Sequence, residues 1–213
     1  MTTPENIEPF NISKYIPVFY LHKDELAMPI NHNNDDLTLR ETPVYTKYRE
    51  TEQFHELVVV LLFRNNPDYH ICGCLPKGGH PGDIEHITIL INKSDQKINR
   101  IFYSSHGKAE GSWIPSEKIE FDGGRPVVYI AKNSHALYWK PGVYLRVWFL
   151  ANDYCGRHTI WEPKSLPIDQ DAPWTQYRFH GVKPLNQRVW LNKAEPFRKY
   201  NLKHRMKMIF RIK

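Results

Sequence analysis

The longest uninterrupted apolar run in the chain spans residues 57–63, Leu-Val-Val-Val-Leu-Leu-Phe, and it has the length of a strand. A valine-rich run with no polar alternation fits a strand buried on both faces. Nothing in the chain approaches the roughly 18 apolar residues that a membrane-spanning helix needs. Other short apolar runs lie at residues 16–21, 84–91, 98–105, 127–131 and 143–150. Asn65-Asn66-Pro67-Asp68 is a turn signal after the first run. The polar link 92–97 between two strong runs predicts a hairpin. Pro17 sits inside the first run, which places that strand at a sheet edge. The fold class is therefore mainly β: an antiparallel β-sandwich with long connecting loops and little helix.

A chain of 213 residues with 41% hydrophobic and 13% aromatic residues can bury a sizeable core. The expected organisation is a flexible arm at 1–13, one β-sandwich domain at 14–196 and a basic segment at 197–213. That last segment carries Arg198, Lys199, Lys203, Arg205, Lys207, Arg211 and Lys213 and no acid. Of the 29 Lys+Arg and 23 Asp+Glu in the chain, the rest of the molecule keeps 22 and 23, a net of −1. The charge of +6 thus belongs to the C-terminal end. The polar first residues do not resemble a secretory leader. Three cysteines, Cys72, Cys74 and Cys155, do not form a disulfide framework. Together these features fit a cytoplasmic-type, reducing compartment.

The segment His80-Pro81-Gly82-Asp83-Ile84-Glu85-His86 carries the most chemistry. Strand alternation puts Asp83 and Glu85 on the face of Ile87, Ile89 and Ile91, the core face. Two carboxylates about seven ångström apart at the entrance of an apolar row must lose a proton or find a cation. His80, across a Pro-Gly turn, is placed to join them as a nitrogen donor. The alternative is that Asp83 caps the turn, Glu85 pairs with Arg125 or Arg146, and His80 faces solvent. His106 follows the strand that pairs with 84–91, and the hairpin brings it level with Asp83 and Glu85. It is alternatively a histidine satisfied within a hydroxyl-rich turn. His135 follows run 127–131 and reaches the same rim, or else sits in the core bonded to backbone. Asp153, then His22 and Glu25, are weaker candidates. No nucleophile elbow, phosphate loop, dinucleotide glycine pattern or zinc-protease helix motif is present.

Several motifs stand in order along residues 14–185. They are Ile16-Pro-Val-Phe-Tyr-Leu-His-Lys-Asp-Glu, His80-Pro-Gly-Asp-Ile-Glu-His-Ile-Thr and Tyr103-Ser-Ser-His-Gly. Arg125-Pro-Val-Val-Tyr-Ile-Ala, Asn133-Ser-His-Ala-Leu-Tyr and Trp174-Thr-Gln-Tyr-Arg-Phe-His-Gly-Val follow. This series resembles the family of vacuolar protein sorting-associated protein 62. More distantly, His80, Asp83, Glu85 and the Ser104–Gly107 segment are similar to the signature of the necrosis-inducing Nep-like toxins. That likeness implies a β-sandwich with a divalent-cation site at His80, Asp83, Glu85 and His106. Only the closer family adds His135. Gly82 stands where the toxins have a histidine.

Three functions are compatible with these residues. The first is a metal-dependent binding module for an anionic membrane surface, a glycan or another partner, with the basic tail adding attraction and Trp113 and Trp139 as interfacial aromatics. The second is a metal-dependent hydrolase using the His80/Asp83/Glu85/His106 centre, with Glu85 or His86 as base. The third is nucleic-acid binding through 197–213. The expected cofactor is a divalent ion: calcium, magnesium, zinc or manganese.

Overall fold

The computed structural model describes residues 10–71, 75–105, 111–145, 152–176 and 183–192. His106, Cys72, Cys74, Arg146, most of the N-terminal arm, the second half of the expected strand 143–150, an expected helix at 195–208 and the basic segment 197–213 lie outside the described residues.

Two sheets face each other. The larger has six strands in the order β15 (Ser165–Pro167), β2 (Val44–Glu50), β3 (Phe54–Asn66), β6 (His80–Asn92), β7 (Ile98–Tyr103) and β8 (Ser112–Pro115). The smaller runs β11 (Leu137–Tyr138), β10 (Arg125–Ile130), β1 (Val18–Leu21) and β14 (Thr159–Trp161), with β9 (Phe121–Asp122) paired to β10. Two short hairpins join β4 (Tyr69–Ile71) to β5 (Leu75–Lys77) and β12 (Gly142–Tyr144) to β13 (Asp153–Cys155). The only α-helical elements among the described residues are α1 (Pro173–Gln176) and α2 (Val189–Asn192). None of the described helices is long and apolar enough to cross a membrane.

The alternation of β3 and β6 explains the layers. Leu57, Val59, Leu61 and Phe63 point into the space between the sheets, with Ile87, Ile89 and Ile91 of β6 and Tyr103 of β7 beside them. Phe19, Leu21, Val128, Ile130 and Trp161 close that core from the smaller sheet. Val58, Val60 and Leu62 point the other way, where Ile84, Leu185, Trp190 and Leu191 meet them. The apolar run is unbroken because both of its faces are covered. Each fully buried isoleucine of β6 contributes about 2 kcal/mol of burial free energy.

The hairpin β6–β7 forms across residues 93–97 as expected, with Ile87 opposite Tyr103 and a register shift at Leu90/Ile91. The β3–β6 ladder runs from Phe54↔Asn92 to Asn66↔His80. Pairing is mostly antiparallel, with two exceptions: β1–β10 and β15–β2 are parallel. β1 is an interior strand between β10 and β14, not an edge. Pro17 lies one residue ahead of the first ladder pair, so its missing N–H costs no bond.

Candidate functional site

Parallel pairing of β1 and β10 sends both chains out at the same end of the sandwich. The loop after β1 carries Glu25, and the turn after β10 carries Asn133, Ser134 and His135. Pro29 bridges to Phe63 and the Ile30 N–H donates to Leu62 O at 2.9 Å, which seats the first loop on the end of β3. Asp83 lies opposite Phe63 in the ladder, and Glu85 lies opposite Leu61. Three segments therefore meet around two carboxylates.

His135 is at the centre. It is fully buried, and its ring lies flat on Phe63, 3.8 Å between centroids and 2° from parallel. Nδ1 is 2.9 Å from Asp83 Oδ2, and Nε2 is 3.5 Å from Glu25 Oε1. The turn that delivers it is tight: His135 N–H donates to Ala131 O (3.0 Å), and Asn133 and His135 hold φ of +61° and +53°. Such left-handed backbone costs a non-glycine residue about 1 kcal/mol, so side-chain contacts must hold it. Glu25 does part of that work, accepting from Asn133 N–H (2.7 Å) and Ala27 N–H (3.0 Å).

The electrostatics follow from this packing. Burial opposes a charge on His135, but the facing carboxylates of Asp83 and Glu25 outweigh burial and raise its pKa above the ordinary imidazole value. Burial pushes Glu25 upward, and the facing His135 ring with the Ala27 and Asn133 N–H donors prevails and lowers it. Burial drives the Glu85 carboxyl well above the usual carboxylate range, and the charge of Asp83 adds to it. The Ser104 hydroxyl donates to Glu85 Oε2 at 2.5 Å and accepts from His86 N–H at 3.1 Å. Asp153 is fully buried and accepts from Ser134 Oγ (2.6 Å) and Tyr138 OH (2.7 Å).

The sequence candidates are thus distributed unevenly. Asp83, Glu85 and His135 are brought together, while His106 lies outside the described residues. His80 is part of β6, where a turn was expected. Its Nδ1 meets Gly82 O at 2.8 Å, where Gly82 holds φ +66°. Its Nε2 lies 3.3 Å from the Asn66 amide, which in turn reaches Asn133 O at 2.6 Å. His80 is therefore linked to the His135 turn through Asn66. Arg125 pairs with Glu162. Trp113 is buried beside Phe102, and Trp139 packs against Tyr103 and Tyr144, so neither is an exposed loop-tip aromatic. Glu25, with His22 the weakest of the sequence candidates, proves to face His135 directly. The motif Glu25 belongs to was visible, but the parallel pairing that makes it a neighbour was not.

As a metal centre, the described side chains supply an incomplete set. Among the described residues no three His, Cys, Asp or Glu side chains converge as metal ligands. Both nitrogens of His135 face carboxylates, which suits an orienting partner behind a ligand more than a ligand. The donors that fit a cation are the Asp83 and Glu85 carboxylates, whose mutual repulsion a positive ion relieves.

Residues 74–150 match the model of a family described as vacuolar protein sorting-associated protein 62. No curated protein sequence matches the chain. A solved structure described as a toxin fold for microbial attack and plant defense is 12% identical, with TM-score 0.50 over 80% of this chain and 81% of the other. NLPPya in complex with mannosamine is 12% identical, with TM-score 0.49 over 80% of each chain. Necrosis and Ethylene inducing Protein 2, from the causal agent of cocoa's Witches Broom disease, is 19% identical with TM-score 0.44. That match covers 60% of this chain and 66% of that one. The stretch that carries Asp83, Glu85 and His135 thus matches the vacuolar protein sorting-associated protein 62 family model, and the chain resembles that family on the β-sandwich of the Nep-like proteins.

Proposed function

We propose that this protein is a cation-dependent binding module, in which a divalent ion held by Asp83 and Glu85 presents the end of the sandwich to an oxygen-rich ligand, a glycan or an anionic headgroup. The observation that carries this reading is the buried carboxylate pair, with Glu85 driven upward by burial and by Asp83. A bound cation would supply a Lewis-acidic bridge to ligand oxygens. Asp83 is held for that role by His135, and Glu85 by Ser104. With the His135 nitrogens committed, the donors are mainly oxygen, which favours calcium, magnesium or manganese over zinc.

The test is elemental analysis of the purified protein beside an Asp83→Asn/Glu85→Gln variant, with thermal melts in calcium, magnesium, manganese and zinc. The expected result is a stoichiometric ion in the wild type, or a melting shift with one of the four, and loss of both in the variant. No ion and no shift in either protein sinks the reading, and the pair is then polar packing.

A further inference from the structure

The loop that leaves β1 turns its side chains alternately in and out. Glu25, Ala27 and Ile30 are buried, while Leu26 is 73% and Met28 46% exposed. Leu26 is the most exposed large hydrophobic among the described residues. A single exposed leucine is ordinary, but this pair is held outward. The Glu25 N–H donates to His22 O at 3.1 Å, and the Glu25 carboxylate accepts from Ala27 N–H (3.0 Å) and Asn133 N–H (2.7 Å). Past Met28, Pro29 bridges to Phe63, and the Ile30 N–H donates to Leu62 O at 2.9 Å. A pinned backbone therefore presents two aliphatic side chains to solvent at the end of the sandwich that carries Asp83, which lies opposite Phe63.

The side chains beside this loop are mostly cationic or able to become so. Lys23 is exposed three residues before Leu26. Lys132 arrives from the turn after β10, with its N–H donating to Tyr154 O at 2.9 Å. His22 and the exposed His158 meet edge to face, 5.0 Å between centroids. Nδ1 of His22 accepts from Asp24 N–H at 3.2 Å, so Nε2 carries the ring proton and is a donor. The acid of this rim, Asp24, is shared between Lys132 Nζ (3.8 Å) and His22 Nδ1 (3.7 Å). Two lysines and two imidazoles against one exposed carboxylate make the rim net positive. A held apolar pair with cationic groups around it has the composition of a surface that seats on anionic lipid. Aliphatic side chains enter the headgroup boundary, and lysines stay at the phosphates. A soluble glycan would leave the apolar pair in water.

We propose that Leu26 and Met28 form a membrane anchor that seats this end of the sandwich on an anionic bilayer, with Lys23 and Lys132 on the lipid phosphates. The anchor deepens the headgroup reading above by committing the ligand to a bilayer surface, and it does not require the ion.

Cosedimentation of the full chain with mixed phosphatidylcholine and phosphatidylserine vesicles tests it. Leu26→Ser/Met28→Ser weakens binding about tenfold, and the loss persists in high salt. Leu26→Trp tightens binding, a gain that a damaged fold does not produce. Phe121→Ser, 44% exposed on the strand paired to the start of β10 and so at the opposite end, leaves binding unchanged. Lys23→Ser/Lys132→Ser weakens binding at low salt only. Soluble glycerophosphoserine, the headgroup without acyl chains, does not distinguish wild type from Leu26→Ser/Met28→Ser. Equal vesicle binding by wild type and Leu26→Ser/Met28→Ser overturns the anchor. So does an equal loss toward the soluble headgroup, or a wild type that binds no vesicles with or without calcium, magnesium or manganese. The cation reading is judged apart, on ion content. A bound ion without vesicle binding overturns the anchor and leaves the cation site standing. No ion, with the vesicle results as expected, supports the anchor and removes the cation reading.

Discussion

His135 shows what one side chain can organise. It accepts a left-handed backbone, lies flat on Phe63 and faces a carboxylate on each side. As an imidazolium it is the counter-charge that favours an ionised Glu25 in a buried place. Its folded pKa is raised above the unfolded value of about 6.5. The stability it contributes is therefore fully present below that unfolded value and lost as pH rises through the folded one. His135→Leu should cost about 3 kcal/mol at pH 6, and much less at pH 9. Urea unfolding of both proteins at the two pH values checks this; an equal cost at both would show that His135 acts through packing on Phe63 alone. Glu85 has the opposite character to Glu25: its raised pKa makes it a site that a proton or a cation satisfies.

The elements around the site are held by cross-strand chemistry as well as by apolar packing. Arg49 of β2 stands directly opposite Glu56 of β3 and pairs with it, and Glu56 is fully buried. The same guanidinium donates to the carbonyls of Trp190 and Leu191, so one arginine ties β2, β3 and α2 together. Breaking a buried ion pair on one side costs more than removing both partners. Arg49→Met should therefore destabilise by about 3 kcal/mol, and adding Glu56→Leu should recover most of it. Thermal melts of the single and double variants decide this; a double variant as unstable as the single one would mean that the carbonyl contacts, not the carboxylate, carry the effect. The β6 strand was legible in outline, because the period of Asp83, Glu85, Ile87, Ile89 and Ile91 could be read against its neighbours. Its true start at His80 was not legible, since Pro81 and Gly82 read as a turn while the β3 ladder continues through them.

On the scale of the whole molecule, charge and site are separated along the chain. The basic residues beyond Pro196 give the protein its +6, while the acidic pair sits in a body of net −1. A chain ending at Pro196 should bind anionic vesicles more weakly than the full chain, and the difference should vanish as salt rises. Cosedimentation at low and high salt measures it. Equal or stronger capture of duplex DNA by the full chain would move the basic segment to nucleic-acid binding. The sandwich itself was determined by sequence alone, through strand-length apolar runs whose alternation fixes which side chains face inward. So were Asp83 and Glu85 as a pair, because neighbours on one strand have a known spacing. Which residues answer that pair was decided only in three dimensions. Glu25 and His135 meet because β1 and β10 run parallel, although more than a hundred residues separate them in the chain. Local periodicity carries no information about contacts between segments so distant, and the packing of the two sheets supplies it.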